Sequence, residues 1–201
     1  MSLSRIEKPL IGIEGHITIW DPETREVLVR RRNAVHFENL SIAIASLLAN
    51  ESGPNNNYHI GFMNFGNGGT QIDGTGAVTY KAPNTNITTS SLYNETLSKE
   101  VDEVATTNGN TVTVTHTNGN QYSDVVVTCT LDYTDPDYAD QDTLDNATSM
   151  DGTYVFDELG LYTANGDLLT HVIFHPVQKS ANRKIQVIYT LRIRTSFSDT
   201  I

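Results

Sequence analysis

Of the 201 residues only one is a cysteine, Cys129, so no disulfide can close within the chain and a disulfide-stapled secreted scaffold is excluded. No stretch approaches the ~18 uninterrupted apolar residues of a membrane-spanning helix, so no membrane partner is expected. The opening residues, Met1 to Glu7, lack the apolar run of a signal peptide. Bases are scarce: 13 Lys and Arg stand against 24 Asp and Glu, giving a net charge of −11 and a pI near 4.8. Such a chain repels phosphate, so nucleic acid is not expected as a partner. Catalytic spacings are missing as well. There is no Gly-x-Ser-x-Gly, no cysteine pair, and no His-x-x-x-His in a helical stretch. The expectation is therefore no enzyme and no cofactor.

The charge that is present is polarised. Between Glu95 and Asp167 lie fifteen acidic residues and one base, Lys99, so this section carries −14 while the two flanks together carry +3. The basic clusters are Arg30-Arg31-Arg32, Arg183-Lys184, and Arg192 with Arg194. Solvated faces explain this plainly; pairing of opposite faces between copies is the sharper reading.

The length suits one domain over 1–201. Ile11, Ile13, Ile17 and Ile19 alternate with Glu14, His16 and Thr18, which predicts a strand. The Asp21-Pro22-Glu23-Thr24 turn returns it into Val27–Val29 as a hairpin. Leu40, Ile44, Leu47 and Leu48 follow helical spacing, predicting one helix near 36–50 with Asn33 as its start signal and Glu51–Pro54 as its stop. Ile60 to Phe65 is a short strand. Residues 66–91 are rich in Gly, Thr and Asn and read as an irregular arm. Asn108-Gly109 predicts a hairpin joining 101–107 to 111–117, extended by 122–133 into a three-stranded meander. Residues 134–152 form an acidic loop. Asn165-Gly166 joins 154–163 to 168–175, and Pro176 ends that hairpin. The last strand alternates cleanly from Ile185 to Ile193, and residues 27–33 are a candidate neighbour for it. The fold class expected is mainly β: an antiparallel sandwich of about eight to ten strands with one helix, a partly open barrel being second.

Candidate chemistry is thin. Gly66-Asn67-Gly68-Gly69-Thr70 follows a strand but has no Gly-Lys-Ser/Thr ending, so it reads as a tight strand exit with positive dihedrals. The acids of 132–145 sit two or three residues apart, yet the EF-hand pattern is missing, and Asp135, Asp137, Asp140 and Asp142 are only weak candidates for a cation. His171 and His175 lie ~13 Å apart on one strand face, too far to share a metal. Cys129 reads as a packed residue. Asp157 and Glu158, adjacent on a strand, point to opposite faces and do not pair. Trp20, Tyr154, Tyr162 and Tyr189 have rings that stack on sugars, and a carbohydrate-binding module recognising a host surface is the alternative function; the tyrosines' strand positions favour packing instead.

Two segments carry a resemblance. Arg32-Asn33-Ala34-Val35-His36-Phe37-Glu38-Asn39-Leu40 leads to Ile60-Gly61-Phe62-Met63-Asn64-Phe65-Gly66-Asn67-Gly68-Gly69-Thr70. Later Glu158-Leu159-Gly160-Leu161-Tyr162 and Asn165-Gly166 precede Val187-Ile188-Tyr189-Thr190-Leu191-Arg192-Ile193. This order resembles small virion structural proteins of tailed bacteriophages. The resemblance implies a tail, baseplate, fibre-anchoring or neck component, made in the host cytoplasm and located in the virion. It assigns no catalytic residue, and the 134–152 region has no counterpart in it. The partners implied are copies of the chain, as a symmetric ring or trimer, and other tail or neck proteins. The interface candidates are Arg30, Arg31, Arg32, Arg192, Arg194, Gly68, Gly69 and Thr70. On this reading the arm extends to a neighbouring copy, and Arg192 and Arg194 meet an acidic surface of a partner.

Overall fold

The computed structural model describes residues 8–49, 57–85, 91–101, 109–135, 155–180 and 182–198. The protein is mainly β: two five-stranded antiparallel sheets packed as a sandwich, with one short helix and twelve strands among the described residues. Sheet one comprises β1 (Lys8–Trp20), β2 (Val27–Arg32), β8 (Thr111–Thr115), β9 (Tyr122–Leu131) and β12 (Ile185–Ser198), in the order β2-β1-β12-β9-β8. Sheet two comprises β3 (Ala34–Val35), β4 (Ile60–Gly66), β7 (Glu95–Glu100), β10 (Val155–Thr163) and β11 (Leu168–Gln178), in the order β3-β11-β10-β4-β7. β5 (Thr70–Ile72) and β6 (Val78–Tyr80) form a small separate hairpin.

Alternation decides which faces meet. Val187, Tyr189 and Leu191 of β12, Ile17 and Ile19 of β1, and Val127, Cys129 and Leu131 of β9 are buried against Met63 and Phe65 of β4, Leu159 and Leu161 of β10, and Phe174 of β11. Phe65 and Phe156 tilt against each other at 5.2 Å between ring centroids. β1 overshoots this layer, so Ile11, in phase with the buried isoleucines, is 65% exposed.

The hairpins β1–β2 and β10–β11 form where the turn signals stand, Gly166 taking φ +91°. Other expectations are corrected. β12 is flanked by β1 and β9, not by residues 27–33, because β1 is inserted between them. Pro176 does not end β11. It lies in a bulge, where its missing N–H costs no ladder bond, and pairing resumes at Val177. The helix, α1 (Phe37–Ala49), is capped by His36 and not by Asn33: His36 Nδ1 accepts the Asn39 N–H at 3.2 Å. α1 packs near β11, where the His36 N–H donates to Leu169 O at 2.9 Å.

The Asn108-Gly109 signal stands at the edge of the described residues. β7 pairs with β4 in sheet two and β8 with β9 in sheet one, while residues 102–107 of the expected first strand of the meander lie outside the described residues. Gly109 takes φ +76°, and the buried Asn110 ties β7 to β9. Its Nδ2 donates to Glu100 O at 2.9 Å and its Oδ1 accepts from Thr130 N at 2.8 Å. Asn110→Ala leaves both backbone groups unmatched. A loss of about 2 kcal/mol is expected in urea unfolding; unchanged stability would show that the β7–β9 tie is held elsewhere.

Among the described strands the chain changes sheet four times, at β2–β3, β7–β8, β9–β10 and β11–β12. Asn33 joins edge strand β2 to edge strand β3, and the Glu100–Asn110 passage links the opposite edges, β7 and β8. Among the described residues no helix is long and apolar enough to cross a membrane.

Candidate functional site

β10 reads Val155-Phe156-Asp157-Glu158-Leu159-Gly160-Leu161, apolar on both faces except for two adjacent acids. Both acids are buried. On a regular strand they would diverge, but the register with β11 shifts between Phe156 and Glu158. Both carboxylates reach the same loop. Gly68 N donates to Glu158 Oε1 at 3.1 Å, and Gly69 N and Thr70 N donate to the two oxygens of Asp157 at 2.8 Å each. The Thr70 hydroxyl also donates to Asp157. Three successive backbone N–H groups are thus held by the chain's own acids.

This corrects the reading of the glycines. Gly66, Gly68 and Gly69 do not have positive φ. They are glycines because other groups come too close. A Cβ at Gly66 would lie 2.4 Å from Asn94 O and 2.7 Å from Glu158 Oε1; one at Gly68 would lie 2.7 Å from Asn94 N.

Glu158 does more. Its Oε1 also accepts from Asn94 N at 2.8 Å, and its Oε2 accepts from Tyr93 N at 2.9 Å and from His171 Nε2 at 2.9 Å. The side chains of Glu158 and His171 are both 0% exposed. His171 Nδ1 accepts the Asn84 N–H at 2.7 Å. A nitrogen that accepts carries no proton, so the imidazole is neutral with its proton on Nε2. Burial opposes ionisation of Glu158, but the His171 N–H and the Asn94 and Tyr93 amides outweigh it and hold the carboxyl below its usual range. Asp157 goes the other way. Burial, aided by the neighbouring Glu158 charge, raises it despite its donors. The pair expected not to interact is coupled through one loop.

These contacts fasten the described residues of the 66–91 segment to the outer face of sheet two. Lys81 N donates to Gly69 O at 2.9 Å, Tyr93 Oη to Ala82 O at 2.8 Å, and Leu92 N to Tyr162 Oη at 3.0 Å. The described part of the arm therefore lies on its own body and contains β5 and β6.

The arginine candidates separate into two groups. Arg192 makes a bidentate pair with Asp124, 2.7 Å for both bonds, and lies 4.0 Å from the Tyr122 ring centroid. Arg194 pairs with Glu14 at 2.5 Å. Lys184 with Asp132, Arg183 with Asp21 and Glu26, and Lys99 with Asp135 continue the theme. Two of these pairs, Arg192–Asp124 and Lys184–Asp132, join a basic end to the acidic middle within one molecule. Arg30, Arg31 and Arg32 line a shallow groove of about 380 Å³ with His16, Ile17 and Thr18. Arg32 reaches Glu14 at 3.4 Å and Arg31 lies 5.8 Å from the Tyr80 ring centroid, but Arg30 and Arg31 find no carboxylate among the described residues.

Of the weak cation candidates, Asp135 is engaged by Lys99, and Asp137, Asp140 and Asp142 lie outside the described residues. No group of three His, Cys, Asp or Glu among the described residues is placed to hold a metal. Cys129 is buried between the sheets, and burial pushes its thiol up to about 12. Trp20 donates to Gln186 Oε1 at 2.9 Å. Strand periodicity hides the clamp, but two acids inside an otherwise apolar strand, and His171 inside Leu169-Thr170-His171-Val172, are a readable sign of buried polar partners.

No protein-family model, no curated protein and no solved structure matches the chain.

Proposed function

We propose that this chain is a non-enzymatic building block of a tailed-phage virion, in the tail, baseplate, fibre-anchoring or neck region. It works by assembling with copies of itself and with neighbouring virion proteins. The observation that carries this reading is the surface of α1. From Asn39 to Ala49 the helix holds no charged residue, yet Ile42 and Leu47 are 44% and 59% exposed. A helix without a charged face is normally covered, and here a neighbouring subunit supplies the cover. The use of charge agrees with it. The buried ionisable groups Asp157, Glu158 and His171 are spent on holding the chain's own loop, and both Glu158 oxygens already accept two donors each. The sequence resemblance supplies the kind of assembly.

Native mass spectrometry of the pure chain, alone and mixed with candidate tail and neck proteins, tests the proposal. The expected result is a defined oligomer or mixed complex that Leu47→Glu weakens. A monomer that binds no virion protein would overturn it. A glycan-binding reading has its own support in Tyr80 and Tyr93, which are 47% and 43% exposed with Arg31 and Lys81 beside their rings. Retention on a glycan array, lost in Tyr80→Ala, would favour it.

A further inference from the structure

We propose that the basic edge of β2 docks the acidic 136–151 segment of a second copy of this chain, head to tail. The proposal rests on the assembly reading and names one of its contacts.

It follows from where the two signs of charge cluster. In the acidic middle, Asp124 is held by Arg192, Asp132 by Lys184 and Asp135 by Lys99, while Asp157 and Glu158 are buried. By sequence the segment 136–151 carries five acids, Asp137, Asp140, Asp142, Asp145 and Asp151, and no base. Among the bases, Arg183, Lys184, Arg192 and Arg194 are engaged. Arg30 and Arg31 have no carboxylate partner among the described residues and are exposed side by side on a strand that ends its sheet. Together with Arg32 they make a cationic strip on a molecule of net charge −11. An arginine-rich edge repels basic strands and selects an extended acidic one. Arg30 and Arg32 face out beside Thr18 and His16, and Arg31 turns to the opposite face. An added strand would therefore meet guanidinium groups on both sides.

The topology favours a neighbour's segment over the chain's own. The segment starts just after Asp135, which is tied to Lys99 on β7, and the chain re-enters the sandwich at Val155 in β10. β7 is one edge of sheet two. β2 continues into β3, the other edge. The two surfaces differ, so the contact is heterologous, and repeating it produces a ring or a filament.

Charge exchange tests this. R30E/R31E makes the edge acidic, and D137K/D140K/D142K/D145K makes the segment basic. Sedimentation of each variant alone should show self-association weakened by about a hundredfold, because like charges then face each other. An equimolar mixture should recover it, since every contact is again complementary. Wild-type association should fall steeply with salt. R30Q/R31Q, which adds no repulsion, should give an intermediate loss, with circular dichroism confirming the fold. Association unchanged in R30E/R31E, or a mixture that stays dissociated, would overturn the proposal. In that case Leu47→Glu still reports on α1, so the broader assembly reading is judged separately.

Discussion

Glu158→Ala is expected to lose about 3–5 kcal/mol of stability, the range for breaking a buried, hydrogen-bonded charged group. The substitution strands three backbone N–H groups, of Gly68, Tyr93 and Asn94, and the Nε2–H of His171. For a chain of this size that is a fall of roughly 10 °C in Tm. Glu158→Gln is informative because it preserves shape. Its oxygen can serve Gly68 and Asn94, but its NH2 then faces the Tyr93 N–H and the His171 Nε2–H. His171 cannot switch tautomer to receive it, since Nδ1 is occupied by the Asn84 N–H. The glutamine variant should therefore lose about half as much. If the loop opens without global unfolding, hydrogen exchange at Tyr93 and Asn94 will speed up before Tm moves. Unchanged exchange at both amides together with an unchanged Tm would show that the clamp is not needed.

The same site has a pH signature. The Glu158 carboxyl is held below its ordinary value, so its contribution is complete above that value and disappears as pH falls through the lowered one. The Asp157 carboxyl is raised, so the fold prefers it protonated and acid relieves its burial. The two slopes oppose each other below neutrality. Glu158→Gln removes one of them, so its stability should fall less on acidification than that of the wild type.

How much of this was legible depends on what sets each feature. β12 and the β10–β11 hairpin follow from strand period and an Asn-Gly turn, both local properties of the chain. Asn110, beside another Asn-Gly step, binds Glu100 and Thr130, ten and twenty positions away, and no local pattern announces those partners. The 66–91 segment reads as unattached because its apolar residues are few. What holds it is hydrogen bonding to Asp157, Glu158 and His171, which composition does not register. Asp157 and Glu158 were set apart by the opposite-face rule, and that rule fails at a bulge, whose position depends on the partner strand. The pairing of Arg192 with Asp124 and of Arg194 with Glu14 turns on strand order, β1 and β9 flanking β12, which charge counts do not reveal. Arg30 and Arg31 stay exposed because β2 is an edge, again a matter of order.

Lys179 gives the second large effect, with the opposite sign. It follows β11, is fully buried, and its Nζ donates to Ser180 O at 3.0 Å. Burial depresses its ammonium to about 8, although Asp135 and Asp132 act to raise it. A base lowered in the fold costs stability whenever it must be charged. Above the unfolded value of about 10.4 both states are neutral and the cost vanishes. Between that value and about 8 the cost grows as pH falls, and below 8 it is constant. At neutral pH the penalty is about 3 kcal/mol. Wild-type stability should therefore rise between pH 8 and 10, over and above the effect of other groups. Lys179→Met keeps the length and apolar stem, removes the charge, and should stabilise the protein at pH 7 by about 1–3 kcal/mol while flattening that rise. Urea unfolding at pH 7 and pH 10 measures both. If Lys179→Met is destabilised equally at the two pH values, the ammonium is well compensated by Asp132 and Asp135, and its burial is not a cost.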